Sequence, residues 1–176
     1  YLKSRDFYND YISSLFKGMK IIDLEKLEKA TIMIENKIKL KKNIFLCGNG
    51  GSAAIANHYI ADYFKLLRSE TKLKPRFHSL VSNMELITAI SNDMKFENIF
   101  SYQLETLAKK GDLLILISSS GNSKNLINAL KFAKKIRMKT LSFVGFKGGL
   151  VKKKSDISIH TKINNYGITE DAAHIF

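Results

Sequence analysis

Asp112-Leu113-Leu114-Ile115-Leu116-Ile117, followed at once by Ser118-Ser119-Ser120-Gly121-Asn122-Ser123, is the stretch on which the fold turns. An unbroken apolar run of this length is what a strand buried on both faces requires. The small polar residues behind it end the strand, and a helix is predicted over 126–136. The same unit stands upstream: an apolar run at 43–47, the loop Gly48-Asn49-Gly50-Gly51-Ser52, then a helix predicted over 53–67. Between the two lie a predicted strand at 77–81 and a helix at 86–90. Ser82-Asn83-Met84-Glu85 has capping-box spacing ahead of that helix. A further helix is predicted at 99–108.

Downstream, 140–144 reads as a strand closed by Gly145, Gly148 and Gly149, and 156–160 as a last short strand. A helix begins near residue 168, and the end of the sequence is expected to cut it off. Residues 2–40 form two predicted helices. Tyr8, Tyr11, Ile12, Leu15, Phe16 and Met19 mark the first stripe, and Leu24, Leu27, Ala30, Met33, Ile34 and Ile38 the second. Strand, loop and helix repeated in this way imply right-handed crossovers and a parallel sheet covered on both faces. The expected fold class is α/β, a three-layer αβα sandwich. It forms a single domain over 1–176, with a helical segment at 1–40 and the α/β core at 43–176.

The 176 residues suit one domain at roughly 150 residues each. A hydrophobic fraction of 45% excludes a disordered polyelectrolyte. One cysteine excludes a disulfide framework and a cysteine-based zinc module, and fits a reducing, cytoplasmic compartment. No apolar run is long enough to span a bilayer, and no membrane partner is expected. The sequence opens at Tyr1 on a charged segment, so no signal peptide is expected, and the missing Met suggests a fragment. The net charge is +13. Its lysines come in pairs and triplets (Lys41-Lys42, Lys109-Lys110, Lys134-Lys135, Lys152-Lys153-Lys154) without one arginine-rich stripe. That is the pattern of a lysine-rich surface or of a pull on small anions, and nucleic acid is not an expected partner.

Ligands of open parallel sheets gather at the carboxyl ends of the strands. At Asn49, Gly50, Gly51 and Ser52 the backbone can approach a ligand closely. The spacing is neither a dinucleotide-binding fingerprint nor a Walker loop, so no nucleotide cofactor is expected. Ser118, Ser119, Ser120 and Ser123 place four hydroxyls at a strand-to-helix junction. Together with the amides opening the next helix they make a neutral phosphate cradle, whereas a plain helix cap needs only one hydroxyl. His58 and Asp62, four residues apart, share one helix face.

Cys-Gly-Asn-Gly-Gly-Ser at 47–52, Ser-Asn-Asp at 91–93 and Ile-Ser-Ser-Ser-Gly-Asn-Ser at 117–123 stand in register. Over residues 43–171 the chain resembles the sugar isomerase (SIS) domain, in its phosphoheptose isomerase branch. The resemblance implies conversion of sedoheptulose 7-phosphate to a heptose 7-phosphate for surface-glycan precursors such as lipopolysaccharide or capsule. It also implies a homotetramer with sites shared between subunits. Such an isomerisation moves a proton between C1 and C2, which requires a base, a group that handles the oxygens and a grip on the phosphate.

By the same resemblance Asp62 stands where the family has a catalytic Glu, one methylene longer, and would take the proton and return it. Asp93, with Asn92 beside it, matches a residue that contacts sugar hydroxyls. Some relatives bind zinc through the His–acid pair, here His58 and Asp62, plus a Gln and a His from the last helix. Asp171 or a neighbour takes the Gln position. The general acid is either His174 or a His beyond Phe176. Glu170 and Asp171 could also head the last helix simply because acids are favoured there. The family's Gly-Lys-Asp-Gly-Gly is replaced by Gly145-Phe146-Lys147-Gly148-Gly149, which loses the acid. Cys47, His78 and His160 read as structural. The other reading is a non-catalytic SIS protein that binds a sugar phosphate or a protein partner as a regulator.

Overall fold

The computed structural model describes residues 3–175. Two helices open it, α1 (Ser4–Lys20) and α2 (Leu24–Lys39), with the Asp23 side chain capping the second by accepting from the Lys26 amide. Five strands follow: β1 (Asn43–Cys47), β2 (Arg76–Ser79), β3 (Leu113–Ser118), β4 (Lys139–Val144) and β5 (Ile157–His160). They form one fully parallel sheet in the order β2-β1-β3-β4-β5. The order reverses between β1 and β3, which makes that junction the topological switch point.

Alternation along each strand divides the core in two. Ile44, Leu46, Leu113, Ile115 and Ile117 face one layer, packed with Ile22, Ala30 and Ile38 of the opening helices and their connection. Phe45, Cys47, Leu114 and Leu116 face the other, against Phe100, Leu104, Leu126, Ala129 and Leu130. The second opening helix thus packs on the body of its own chain, whereas Tyr8 and Phe16 of the first expected stripe and Leu24 of the second stay exposed. Cys47, the single cysteine, is fully buried there, and burial pushes its thiol pKa up.

The helix expected over 53–67 is three pieces: α3 (Gly51–Ile60), a π-helical stretch (Ala61–Leu66) and α4 (Leu67–Glu70). The wider turn accompanies an aromatic stack, Tyr63 lying flat on Phe77 at 4.8 Å with Tyr59 edge-on to Tyr63. Hydrophobic spacing alone carries no sign of that interruption. At α5 (Met84–Asp93) the cap is Asn83, which accepts from the Leu86 amide; Ser82 instead donates to the Ser79 carbonyl, so the expected capping box is not the one used.

A 3₁₀ turn (Phe96–Asn98) leads into α6 (Ser101–Leu107), and α7 (Lys124–Lys135) follows β3. A short α8 (Gly149–Lys154), not foreseen because three lysines hide its one buried residue, Val151, lies between β4 and β5. The last helix, α9 (Tyr166–Ile175), begins earlier than expected, its first turn held by the Asn165 side chain on the Ile168 amide. Among the described residues no helix is long and apolar enough to cross a membrane.

Candidate functional site

A cavity of about 420 Å³ opens at the switch point between β1 and β3. The loop after β1 supplies Asn49, Gly50, Gly51 and Ser52; the loop after β3 supplies Ser118, Ser119, Ser120 and Ser123; Tyr166 and Glu170 close it from α9. Both loops singled out from sequence therefore meet across one space. Asn49 ties them at its base, exchanging amide hydrogen bonds with Asn125 of α7 at 3.0 and 2.8 Å.

The serines divide their work. Ser118 Oγ accepts from the Gly121 amide at 3.0 Å and Ser120 Oγ from the Asn122 amide at 3.4 Å, which shapes the loop and leaves each O–H free to donate. Ser119 Oγ is buried without a hydrogen-bond partner. Such an orphan is costly unless something completes it, and here it lines the cavity. Ser123 stands at the N-cap of α7 with no side-chain cap bond, so the plain-cap explanation fails and its hydroxyl stays available. Among the described residues no lysine or arginine lines the space. The groups offered there are neutral hydroxyls plus the amino end of a twelve-residue helix, which suit an anion.

The shape of the serine loop depends on a backbone-to-backbone approach. Gly121 (φ +67°) and Gly149 (φ +55°) lie so close that a Cβ on Gly121 would fall 2.0 Å from the Gly148 carbonyl oxygen. The Gly121 carbonyl and the Asn122 side chain in turn accept from the Val151 and Leu150 amides that open α8. The glycine pair at 148–149 is thus explained without the acid that the family places before it.

Glu170 is the one carboxylate among the described residues on the cavity wall. Its Oε1 accepts from Ser52 Oγ at 3.2 Å, and it packs where a side chain on Gly51 would stand, a Cβ there falling 2.1 Å from Oε2. Asp171 does not line the cavity; it turns to α1, where Tyr11 Oη donates to Oδ2 at 2.6 Å. Burial and that carboxylate raise the Tyr11 pKa to about 12. Within its own chain Asp171 thus faces α1 rather than the cavity, since a helical step of 100° turns adjacent residues onto different faces. Glu170, which the sequence offered only as an acid near the start of the last helix, is set on the cavity wall by the fold, which brings it against Gly51. Because α9 starts at Tyr166, both acids lie beyond its first turn and the helix-dipole explanation does not apply.

His58, Asp62 and His174 gather elsewhere, on an exposed surface. His58 Nε2 lies 3.2 Å from Asp62 Oδ2, and the His174 ring stands edge-on to His58 at 5.2 Å. None of the three lines the cavity of its own chain. Asp62 lies in the π-helical stretch. Asn92 and Asp93 end α5, also outside the cavity, Asn92 Nδ2 donating to Asp93 Oδ1 at 2.9 Å. For the zinc expected on His58 and Asp62, the donor atoms of that pair face each other. Among the described residues no group of three or more His, Cys, Asp or Glu is arranged to hold a metal. As arranged, the residues do not fit a tetrahedral zinc site. His78 and His160 are strand residues bonded to Asn43 Oδ1 and the Phe146 carbonyl, and burial lowers both their pKa values.

Comparison with known proteins adds the following. The SIS domain family model matches residues 7–145. The phosphoheptose isomerase of Aliarcobacter butzleri is 42% identical over 80% of this chain and 74% of its own length. The phosphoheptose isomerase structure from Neisseria gonorrhoeae superposes with a TM-score of 0.85 at 28% identity, covering 97% of this chain and 90% of that one. The one from Francisella tularensis gives 0.87 at 25%, covering 99% and 94%.

Proposed function

The chain belongs to the SIS domain family, in its phosphoheptose isomerase branch, and from this premise we propose that it interconverts sedoheptulose 7-phosphate and the corresponding aldoheptose 7-phosphate. The observation that carries the reading is the switch-point cavity, walled by Ser52 and the four serines of 118–123, with the Ser119 hydroxyl buried and unpartnered and the Glu170 carboxylate opposite. A phosphate seated on Ser118, Ser119, Ser120, Ser123 and the amides of α7 anchors the substrate by its far end. The sugar hydroxyls then run along Glu170 and Asn49.

In the forward direction a base removes a proton from C1 of the ketose, an enediolate forms across C1 and C2, and the proton returns to C2. The carbonyl moves to C1 while a proton goes to the oxygen on C2. Nothing is oxidised or reduced overall. Asp62 is the proposed base, with His58 holding its carboxylate, and His174 lies beside them to handle the oxygens. These three residues are exposed and lie apart from their own cavity, which favours a homotetramer in which one subunit offers them to the cavity of another. Asp93 and Asn92 would meet the sugar across the same boundary. The product would enter surface-glycan precursor synthesis.

The test is turnover of sedoheptulose 7-phosphate by the purified protein, alongside Asp62→Asn. That variant is expected to lose about a thousandfold in kcat while still binding the sugar phosphate. Full turnover by Asp62→Asn would clear Asp62 of the base role. Protection of the fold by the sugar phosphate without any turnover would make the chain a sensor.

A further inference from the structure

The amino ends of the five strands carry a charge that the cavity does not use. The loops and first residues leading into β1 to β4 hold Lys41, Lys42, Lys72, Lys74, Arg76, Lys109, Lys110, Arg137 and Lys139. Two acids share this edge, and both are occupied. Asp112 is buried, accepting from the Asn43 and Lys109 amides, and Asp156 is paired with Lys134 and bonded to Thr140. The loops at the opposite ends of the strands (48–50, 80–83, 119–123, 145–148 and 161–165) hold only Lys147 and Lys162. The cations are thus collected on the face turned away from the cavity, and attraction of a substrate anion does not account for them.

These loops form one continuous face. Lys42 Nζ reaches the Lys110 carbonyl at 3.5 Å, Arg76 donates to the Lys41 carbonyl at 3.2 Å, and the Gly111 amide donates to the Arg137 carbonyl at 3.2 Å. The strand starts are level, Asn43 pairing with Arg76 and Leu113 with Lys139, so the face is a broad end of the sheet rather than a groove. Crowding shows at Lys37, whose pKa is lowered by burial and then by the charges of Lys139 and Lys42. Like charges held this close favour an anionic partner.

Two leucines select the partner. Leu40, 66% exposed, directly precedes Lys41-Lys42, and Leu107, 49% exposed, precedes Ala108-Lys109-Lys110. Each touching loop therefore offers an apolar side chain beside a lysine pair, a combination that suits the headgroup layer of an anionic bilayer. Seven of the nine cations are lysines and no aromatic residue lies on these loops. Arginine forks and stacking rings, which a nucleic-acid surface would favour, are scarce. We propose that the amino-end face docks the protein on anionic lipid, with Leu40 and Leu107 entering the headgroup layer and the cavity facing away from the membrane.

Co-sedimentation of the full chain with vesicles tests this. Vesicles of phosphatidylcholine containing one third phosphatidylglycerol should bind it, pure phosphatidylcholine should not, and added salt should weaken the binding. Lys41→Gln, Lys42→Gln, Lys109→Gln and Lys110→Gln together should reduce binding about 100-fold or more. Leu40→Ser with Leu107→Ser should lose the salt-resistant part. Neither set should alter turnover, which doubles as the check that both variants are folded. No vesicle binding at low salt, or binding unchanged in the fourfold variant, would overturn the proposal. So would retention of duplex DNA in place of vesicles.

Discussion

The two ends of the sheet are built from opposite materials. At the carboxyl ends stand glycine, serine and asparagine, whose small neutral side chains leave a cavity. At the amino ends stand lysine and arginine around a buried Asp112. The difference teaches that a cavity proposed for a phosphate need not be basic, and that a chain's net charge can point away from its candidate site. At the switch point the available donors are hydroxyls and helix amides, which on the proposed reading would hold a phosphate by geometry as well as by charge.

The largest effect that would break this contrast lies at the carboxyl end. Ser118, Ser120 and Ser123 replaced together by Ala should weaken sugar-phosphate binding several hundredfold, three hydrogen bonds to a charged group being removed. Isothermal titration reads it, and unchanged affinity would move the phosphate out of the cradle. Next, Gly149→Ala should cost about 2–3 kcal/mol in denaturant unfolding, because a Cβ would meet the Gly121 carbonyl at 2.4 Å and the residue has a positive φ. A neutral result would show that the two loops can part.

At the amino end Asp112→Ala should cost about 2 kcal/mol by leaving the Asn43 and Lys109 amides without their acceptor. Turnover should survive that loss, which separates the two ends by function. The smallest effect concerns acid. Partial burial pushes the Asp156 carboxyl up, but the hydrogen bonds from Lys134 and Thr140 outweigh it and hold its pKa below the ordinary range. A depressed carboxyl lends stability in full above pH of about 4, and loses it as the pH falls through the folded value. Asp156→Asn should therefore flatten the acid limb of the stability curve by less than about 1 kcal/mol.

The layers, the five strands and the two loops of the cavity were legible in the sequence, because buried strands and small-residue loops leave strong local signals at 43–52 and 112–123. The π-helical stretch was not, since it goes with the stack of Tyr63 on Phe77, a contact between distant segments. Nor was α8, whose amides are satisfied by Gly121 and Asn122 rather than by its own sequence. Within the site, the four serines singled out in the sequence do line one cavity. The choice between Glu170 and Asp171 depended on how α9 is rotated, which Tyr11 and Ser52 decide from other elements. The exposed trio of His58, Asp62 and His174 was half legible: the spacing paired the first two, the resemblance offered His174 only as one alternative for the acid, and the fold sets its ring beside His58.

The buried thiol of Cys47 has a use at the bench. With its only native sulfhydryl sealed between sheet and helices and reluctant to ionise, the folded chain should ignore maleimides. A single cysteine placed at Lys147, near the cavity, or at Lys41, on the far face, can then be tagged with a dye on the otherwise unaltered molecule. One fluorophore at each address would let sugar binding and lipid docking be watched separately.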